Sequence, residues 1–195
     1  MRWTTSPTSR TKRPRWRVGV LDSDVRTRVE LARSIEARGG AVVVDSPPRA
    51  DTVDLLRRMD PDAVVLAADD SMDSADALMG PLALGASAAV VLLTSPVSVR
   101  TLRIGRAAGV MAVLLRPLRP HEVGPTLDVA VARFRELRRF KRALADRAVV
   151  EQAKGRLMAL DGLTEGAAFG WLRRRAMEQR IRIGDVARAV LTHES

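Results

Sequence analysis

From Trp16 onward, short apolar runs alternate with stretches of helical periodicity. Runs at 18–21, 41–44, 63–68, 88–93 and 110–115 are separated by helical patterns at about 25–38, 49–59, 74–80 and 97–108. In the first of these patterns Val25, Val29, Ala32 and Ile35 recur at three- and four-residue steps, the spacing of one helix face. Segments such as "AVVLAA" and "AAVVLL" are apolar without interruption. Continuous runs of that kind suit strands covered on both faces, as in a parallel sheet wrapped by helices. Five such units predict an α/β domain with a doubly wound, five-stranded parallel sheet of flavodoxin-like type. In such a sheet the functional site lies at the carboxyl ends of the strands.

The pattern changes at His121. Val123, Leu127, Ala130, Phe134, Leu137, Lys141, Leu144 and Ala148 follow one another at alternating steps of four and three, a heptad seam. The spacing predicts a long coiled-coil helix, with Leu127, Ala130, Phe134, Leu137 and Leu144 as the seam of a homodimer. "LDGLT" at 160–164 stops it, Thr164 caps a helix running to about Gln179, and "RIRIGDVARAVL" makes a last short one. The chain thus divides into a basic tail at 1–15, an α/β domain at 16–122, a linker helix at 123–146 and a small three-helix, all-α domain at 147–195.

Charge refines this division. Residues 1–20 carry six basic and no acidic residues, and 21–120 carry twelve and thirteen. Residues 121–146 carry six and four, and 147–195 carry nine and six. A polyanion would therefore meet the ends of the chain, not its middle. There is no cysteine, and His121 and His193 are the only histidines, so no thiolate or His-rich metal site is expected. No cofactor is expected either. No apolar run approaches the roughly 18 residues of a membrane span, and no secretory signal is evident, so a cytoplasmic location away from any membrane is expected. No Cys nucleophile, Walker A loop or G-x-G-x-x-G motif is present, and the chain is not expected to be an enzyme.

Particular residues then bring a family into view. "VLDSD" places Asp22 and Ser23 after the first strand, with Asp24 one further on. "PDAVVLAAD" ends the third strand on Ala67, "VVLLTSP" ends the fourth on Thr94, and "VLLRPL" puts Arg116-Pro117 after the fifth. This arrangement resembles the receiver domain of two-component response regulators. The resemblance implies an acidic pair holding a divalent cation, a phosphoryl-accepting Asp, a sensing hydroxyl and a Lys-Pro at these four places. Here Ser23 replaces one acid, Ala67 stands at the acceptor and Arg116 replaces the Lys, whose geometry a planar guanidinium does not reproduce. Asp69, two residues past Ala67, would sit about 6–7 Å further along an extended chain, too far to take over. A pseudo-receiver is expected: Asp22, Ser23, Thr94 and Arg116 are remnants of a phosphorylation site that has lost its acceptor.

"EQAKGRLM", followed by "AAFGWLRRRAM" and "DVARAV", resembles the ANTAR domain, a three-helix RNA-binding module of transcription antitermination regulators. The resemblance implies a dimer that binds paired stem-loops in leader transcripts and prevents a terminator hairpin from forming. Lys154, Gly155 and Arg173 match the family's positions, and Arg156, Arg174, Arg180 and Arg182 join them by charge as expected RNA contacts. Trp171 and Leu160 are expected in the apolar stripes, and Gly155 is expected to permit close approach of a helix or an RNA backbone. With no acceptor, the input is expected from a regulatory protein on the receiver face, from abundance or from a small ligand. Alternatives are a DNA-binding transcription factor of response-regulator type and a protein-interaction module.

Overall fold

The computed structural model describes residues 13–49, 51–68, 88–95 and 109–192. The patterns at 74–80 and 97–108, residues 1–12 of the tail, Asp69, Asp70 and His193 lie outside them. Two compact units divide the chain, Met1–Phe134 and Arg135–Ser195, and the division falls inside one helix.

In the first unit β1 (Arg17–Leu21), β2 (Ala41–Ser46), β3 (Ala63–Ala67), β4 (Ala89–Thr94) and β5 (Ala112–Leu115) form one parallel sheet in the order β2-β1-β3-β4-β5. The crossing from β2 over β1 to β3 creates a switch point beside the carboxyl ends of β1 and β3. Successive residues of each strand enter opposite cores. Val18, Val20, Val65, Val91 and Leu93 pack with Leu31 and Ile35 of α1 (Val25–Glu36) and with Val123, Leu127 and Ala130 of α3 (Pro120–Asp161). Val64, Leu66 and Leu92 pack on the other face with Val53 and Leu56 of α2 (Thr52–Met59). Both faces of β3 and β4 are therefore apolar, which is why those strands read as unbroken runs. Gly19 lets α2 close on β1, because a Cβ there would stand 2.7 Å from Leu56 Cδ2.

Local chemistry sets the element ends. The Asp24 carboxylate caps α1 by accepting from the Arg26 N–H at 2.9 Å. Asp60 ends α2 in the left-handed conformation, φ 42°.

The second unit contains the end of α3, then α4 (Glu165–Gln179) and α5 (Ile183–Thr192). Its core is Val150, Ala153 and Leu157 of α3, Ala168, Leu172 and Ala176 of α4, and Val186 and Ala187 of α5. Thr164 caps α4 as its sequence position predicts, accepting from the Ala167 N–H at 3.3 Å. Leu160, expected in the stripe, is exposed instead. It is the second-last residue of α3, one turn past the buried Leu157. Among the described residues no helix is long and apolar enough to cross a membrane.

Candidate functional sites

At the switch point the backbone brings the residue following β1 and the residue following β5 together. Asp22 is 3% exposed. Its Oδ1 accepts from the Asp24 N–H at 2.8 Å and its Oδ2 from Arg116 Nη2 at 2.6 Å. Arg116 Nη1 donates to Thr27 Oγ1 at 2.9 Å, and that hydroxyl donates in turn to Asp24 Oδ2 at 2.9 Å. Arg28 Nη1 reaches the Asp22 carbonyl at 2.8 Å and its Nε pairs with Asp45. The Arg26 N–H, then the Thr27 hydroxyl, hold the Asp24 carboxyl below its ordinary pKa. Thr94 is buried at the end of β4, and its carbonyl accepts the Arg116 N–H at 2.9 Å. Ala67 is fully buried at the end of β3, and Ser23 is exposed.

A receiver's divalent cation would need several oxygen ligands with free lone pairs. Both Asp22 carboxylate oxygens are already engaged, one of them by a guanidinium, and the Ala67 side chain has no oxygen. Among the described residues no group of three or more His, Asp or Glu could hold a metal ion. The donor set does not fit the cation, and Arg116 supplies positive charge beside Asp22 from within the chain.

In the helical unit the expected RNA contacts separate into two kinds. Lys154 is 8% exposed. Its ammonium donates to Glu151 Oε2 and to Glu165 Oε1, each at 2.8 Å, tying α3 to the first turn of α4. These bonds, Glu151 first and then Glu165, raise the Lys154 pKa, and the bond from Lys154 lowers that of Glu165. Lys154, expected as an RNA contact, thus has its charge paired inside the fold. Arg156 Nη1 donates to the Leu191 carbonyl at 3.2 Å, near the end of α5, which gives it a capping role. Gly155 faces open space, where an added Cβ would meet nothing, so no neighbouring helix explains it.

Arg173, Arg174, Arg180 and Arg182 are exposed, with no acid in ion-pair range among the described residues. Arg180 occupies the left-handed position that ends α4, φ 53°. Trp171 corrects the sequence reading: it is 37% exposed instead of lying in the core. With Arg175, Gln179, Val186, Ala189 and Val190 it lines a groove of about 290 Å³ between α4 and α5. Trp171 directly precedes Leu172, and Leu172 points inward, so helical spacing leaves room for only one of the two at the centre of the buried face.

The heptad residues also divide. Leu127 and Ala130 are fully buried and Phe134 is half-buried, all against the sheet core. They are corrected from dimer seam to receiver packing. Leu137, Phe140 and Leu144 are exposed.

Solved structures place the first unit. The signal receiver domain of a modulated diguanylate cyclase from Desulfovibrio desulfuricans superposes with a TM-score of 0.55 at 15% identity, covering 62% of this chain and 96% of that one. A CheY-like response regulator receiver domain from Methanospirillum hungatei gives 0.54 at 13% identity, with the same coverage. These likenesses define the class by fold: a receiver-type α/β domain, here followed by a helical unit. Residues 138–191 of that unit match the ANTAR domain model. Over 184 residues the chain is 31% identical to the transcriptional regulatory protein PdtaR of Mycobacterium tuberculosis, covering 90% of this chain and 89% of the relative. The chain belongs to the ANTAR-domain response regulators, a family of transcriptional regulators.

Proposed function

We propose that this regulator is a cytoplasmic, non-enzymatic protein that binds stem-loop RNA through its helical unit and acts by antitermination. The observation that carries the reading is the exposed set Arg173, Arg174, Arg180 and Arg182, together with the exposed indole of Trp171, on a unit that matches the ANTAR model. Guanidinium groups contact phosphates, and an exposed indole can stack on an unpaired loop base. Competition between a two-stem-loop RNA and duplex DNA of equal charge tests it. Preference for the duplex would reject RNA in favour of a DNA-binding regulator. Unchanged regulation in cells after charge reversal at Arg173 and Arg174 would favour a protein-interaction module.

The receiver unit, in this reading, is not switched by phosphorylation. Supporting this are Ala67 at the end of β3 and the Arg116–Asp22 pair, where a phosphorylatable receiver needs a carboxylate and a cation. Incubation with a small phosphodonor and Mg²⁺ should leave the mass of the full chain unchanged, and a labile added phosphoryl group would overturn the reading. Regulation then comes from a partner protein on the receiver face, from abundance or from a small ligand. Two copies pair through the exposed stripe Leu137, Phe140 and Leu144, presenting two helical units to paired stem-loops.

A further inference from the structure

A second basic feature of the helical unit shares only Arg182 with the residues just described. An open cleft of about 680 Å³ is lined by Arg138, Arg139 and Arg142 of α3, by Arg182 just before α5 and by Arg188 within it, with Asp146 among them. Arg138, Arg142 and Asp146 are four residues apart, so they stack along one side of the helix. Among the described residues lining the cleft, Asp146 is the one acid beside five arginines. Arg188 donates to Asp185 Oδ1 at 2.7 Å and also pairs with Asp146, and Arg142 stands 3.7 Å from Asp185 Oδ1. Arg139 and Arg182 have no acid in ion-pair range among the described residues.

Asp146 is held in place by the packing around it. A Cβ at Gly184 would stand 2.9 Å from Asp146 Cβ and closer still to its carboxylate, so the glycine is what admits Asp146 between α3 and α5. Asp146 then fixes Arg188 on one wall opposite the α3 arginines. Like charges gathered in this way repel, and an anion in the cleft would relieve the repulsion. The planar fork of Arg matches phosphate oxygens. Among the described residues no aromatic side chain lines the cleft. Its shape and lining fit a sugar-phosphate backbone passing through.

We propose that this arginine cleft is a phosphate seat for the RNA backbone. It would carry the RNA contact onto the part of α3 that precedes the domain core, while the Trp171 groove takes bases. The proposal rests on the RNA-binding reading above.

The test uses the full chain, a fluorescein-labelled RNA of two stem-loops and binding isotherms over a range of salt. The variants are R139E and, without charge reversal, R139Q, since Arg139 lines the cleft, is not one of the four arginines of the RNA-binding reading and has no acid in ion-pair range among the described residues; circular dichroism checks folding. We expect affinity to fall by about tenfold or more, and the slope of log K against log[salt] to shrink by about 0.7 to 0.9 per lost phosphate contact. Wild-type-like affinity and slope in both variants would overturn the cleft assignment while leaving the RNA-binding reading intact. A wild-type chain that binds no stem-loop RNA at low salt would overturn both. Inorganic tripolyphosphate separates the remaining source of phosphate. If it raises the thermal midpoint of the wild type but does not compete with the RNA, the cleft serves a free phosphate ligand and the RNA assignment falls.

Discussion

Arg116 Nη2 stands 2.6 Å from Asp22 Oδ2, joining the residue after β5 to the residue after β1. The pair is shielded, with side chains 20% and 4% exposed. A shielded pair need not stabilise a fold relative to apolar residues, but removing one partner strands the other charge. Arg116→Ala leaves the Asp22 carboxylate with only the Asp24 N–H, and is expected to cost about 3 kcal/mol of stability. Arg116→Lys keeps the charge but reaches Asp22 and Thr27 less well together, and is expected to cost about 1 kcal/mol. Urea denaturation followed by far-ultraviolet circular dichroism reads both. A wild-type midpoint for Arg116→Ala would show that the pair is not structural.

The Lys154–Glu165 bridge makes stability depend on pH at both extremes. Lys154 has a folded pKa above its ordinary 10.5, so its contribution is complete below that value and is lost as pH rises past it. Glu165 has a folded pKa below its ordinary 4.5, so its contribution is complete above that value and is lost as pH falls. Between the two the contribution is flat. Glu165→Gln should therefore reduce the thermal midpoint at neutral pH and flatten its decline below pH 4.5. A variant whose acid limb matches the wild type would place the titration elsewhere. Lys154→Gln is expected to lower the midpoint as well, unlike Arg173→Gln, since Arg173 has no acid in ion-pair range among the described residues.

Trp171 is partly exposed and contributes to the groove between α4 and α5, not to the buried cluster of the unit. Trp171→Ala is expected to leave the thermal midpoint within a few degrees of the wild type. It should weaken stem-loop binding by about 1–3 kcal/mol, the usual worth of stacking one base on an aromatic ring. Affinity for a fully paired RNA of the same charge should change much less. Equal losses on both RNAs would assign the indole to packing.

What the sequence could reveal depends on how local each cause is. The strands were legible because burial on both faces leaves unbroken apolar runs, as in Ala63–Ala67. Thr164 was legible because a cap acts within three residues. Asp22 and Arg116 were visible as two remnants, but a bond between residues 94 positions apart is set by the sheet order. The pairing of Lys154 was hidden for a similar reason, since Glu165 approaches it only once α4 folds back on α3. Arg138, Arg139 and Arg142 are neighbours along α3, yet Arg182 and Arg188 join them only in the folded unit.

The heptad spacing shows the remaining ambiguity, and it can be tested. Steps of four and three describe any helix face that meets a surface, whether that surface is its own domain or a second copy. In the structure Leu127 and Ala130 meet the sheet core, while Leu137 is 43% and Leu144 62% exposed. One periodic stripe is therefore buried along its first part and exposed along its second. Leu127→Ala is expected to destabilise the receiver unit by about 2–5 kcal/mol through the cavity it leaves, without changing the assembly state of the folded protein. Leu144→Glu, alone or with Leu137→Glu, is expected to leave the thermal midpoint of the monomer unchanged and to abolish dimers in light scattering after size exclusion. A stripe with no partner would give monomers before and after the change. A dimer that survives both glutamates would have its interface on another surface.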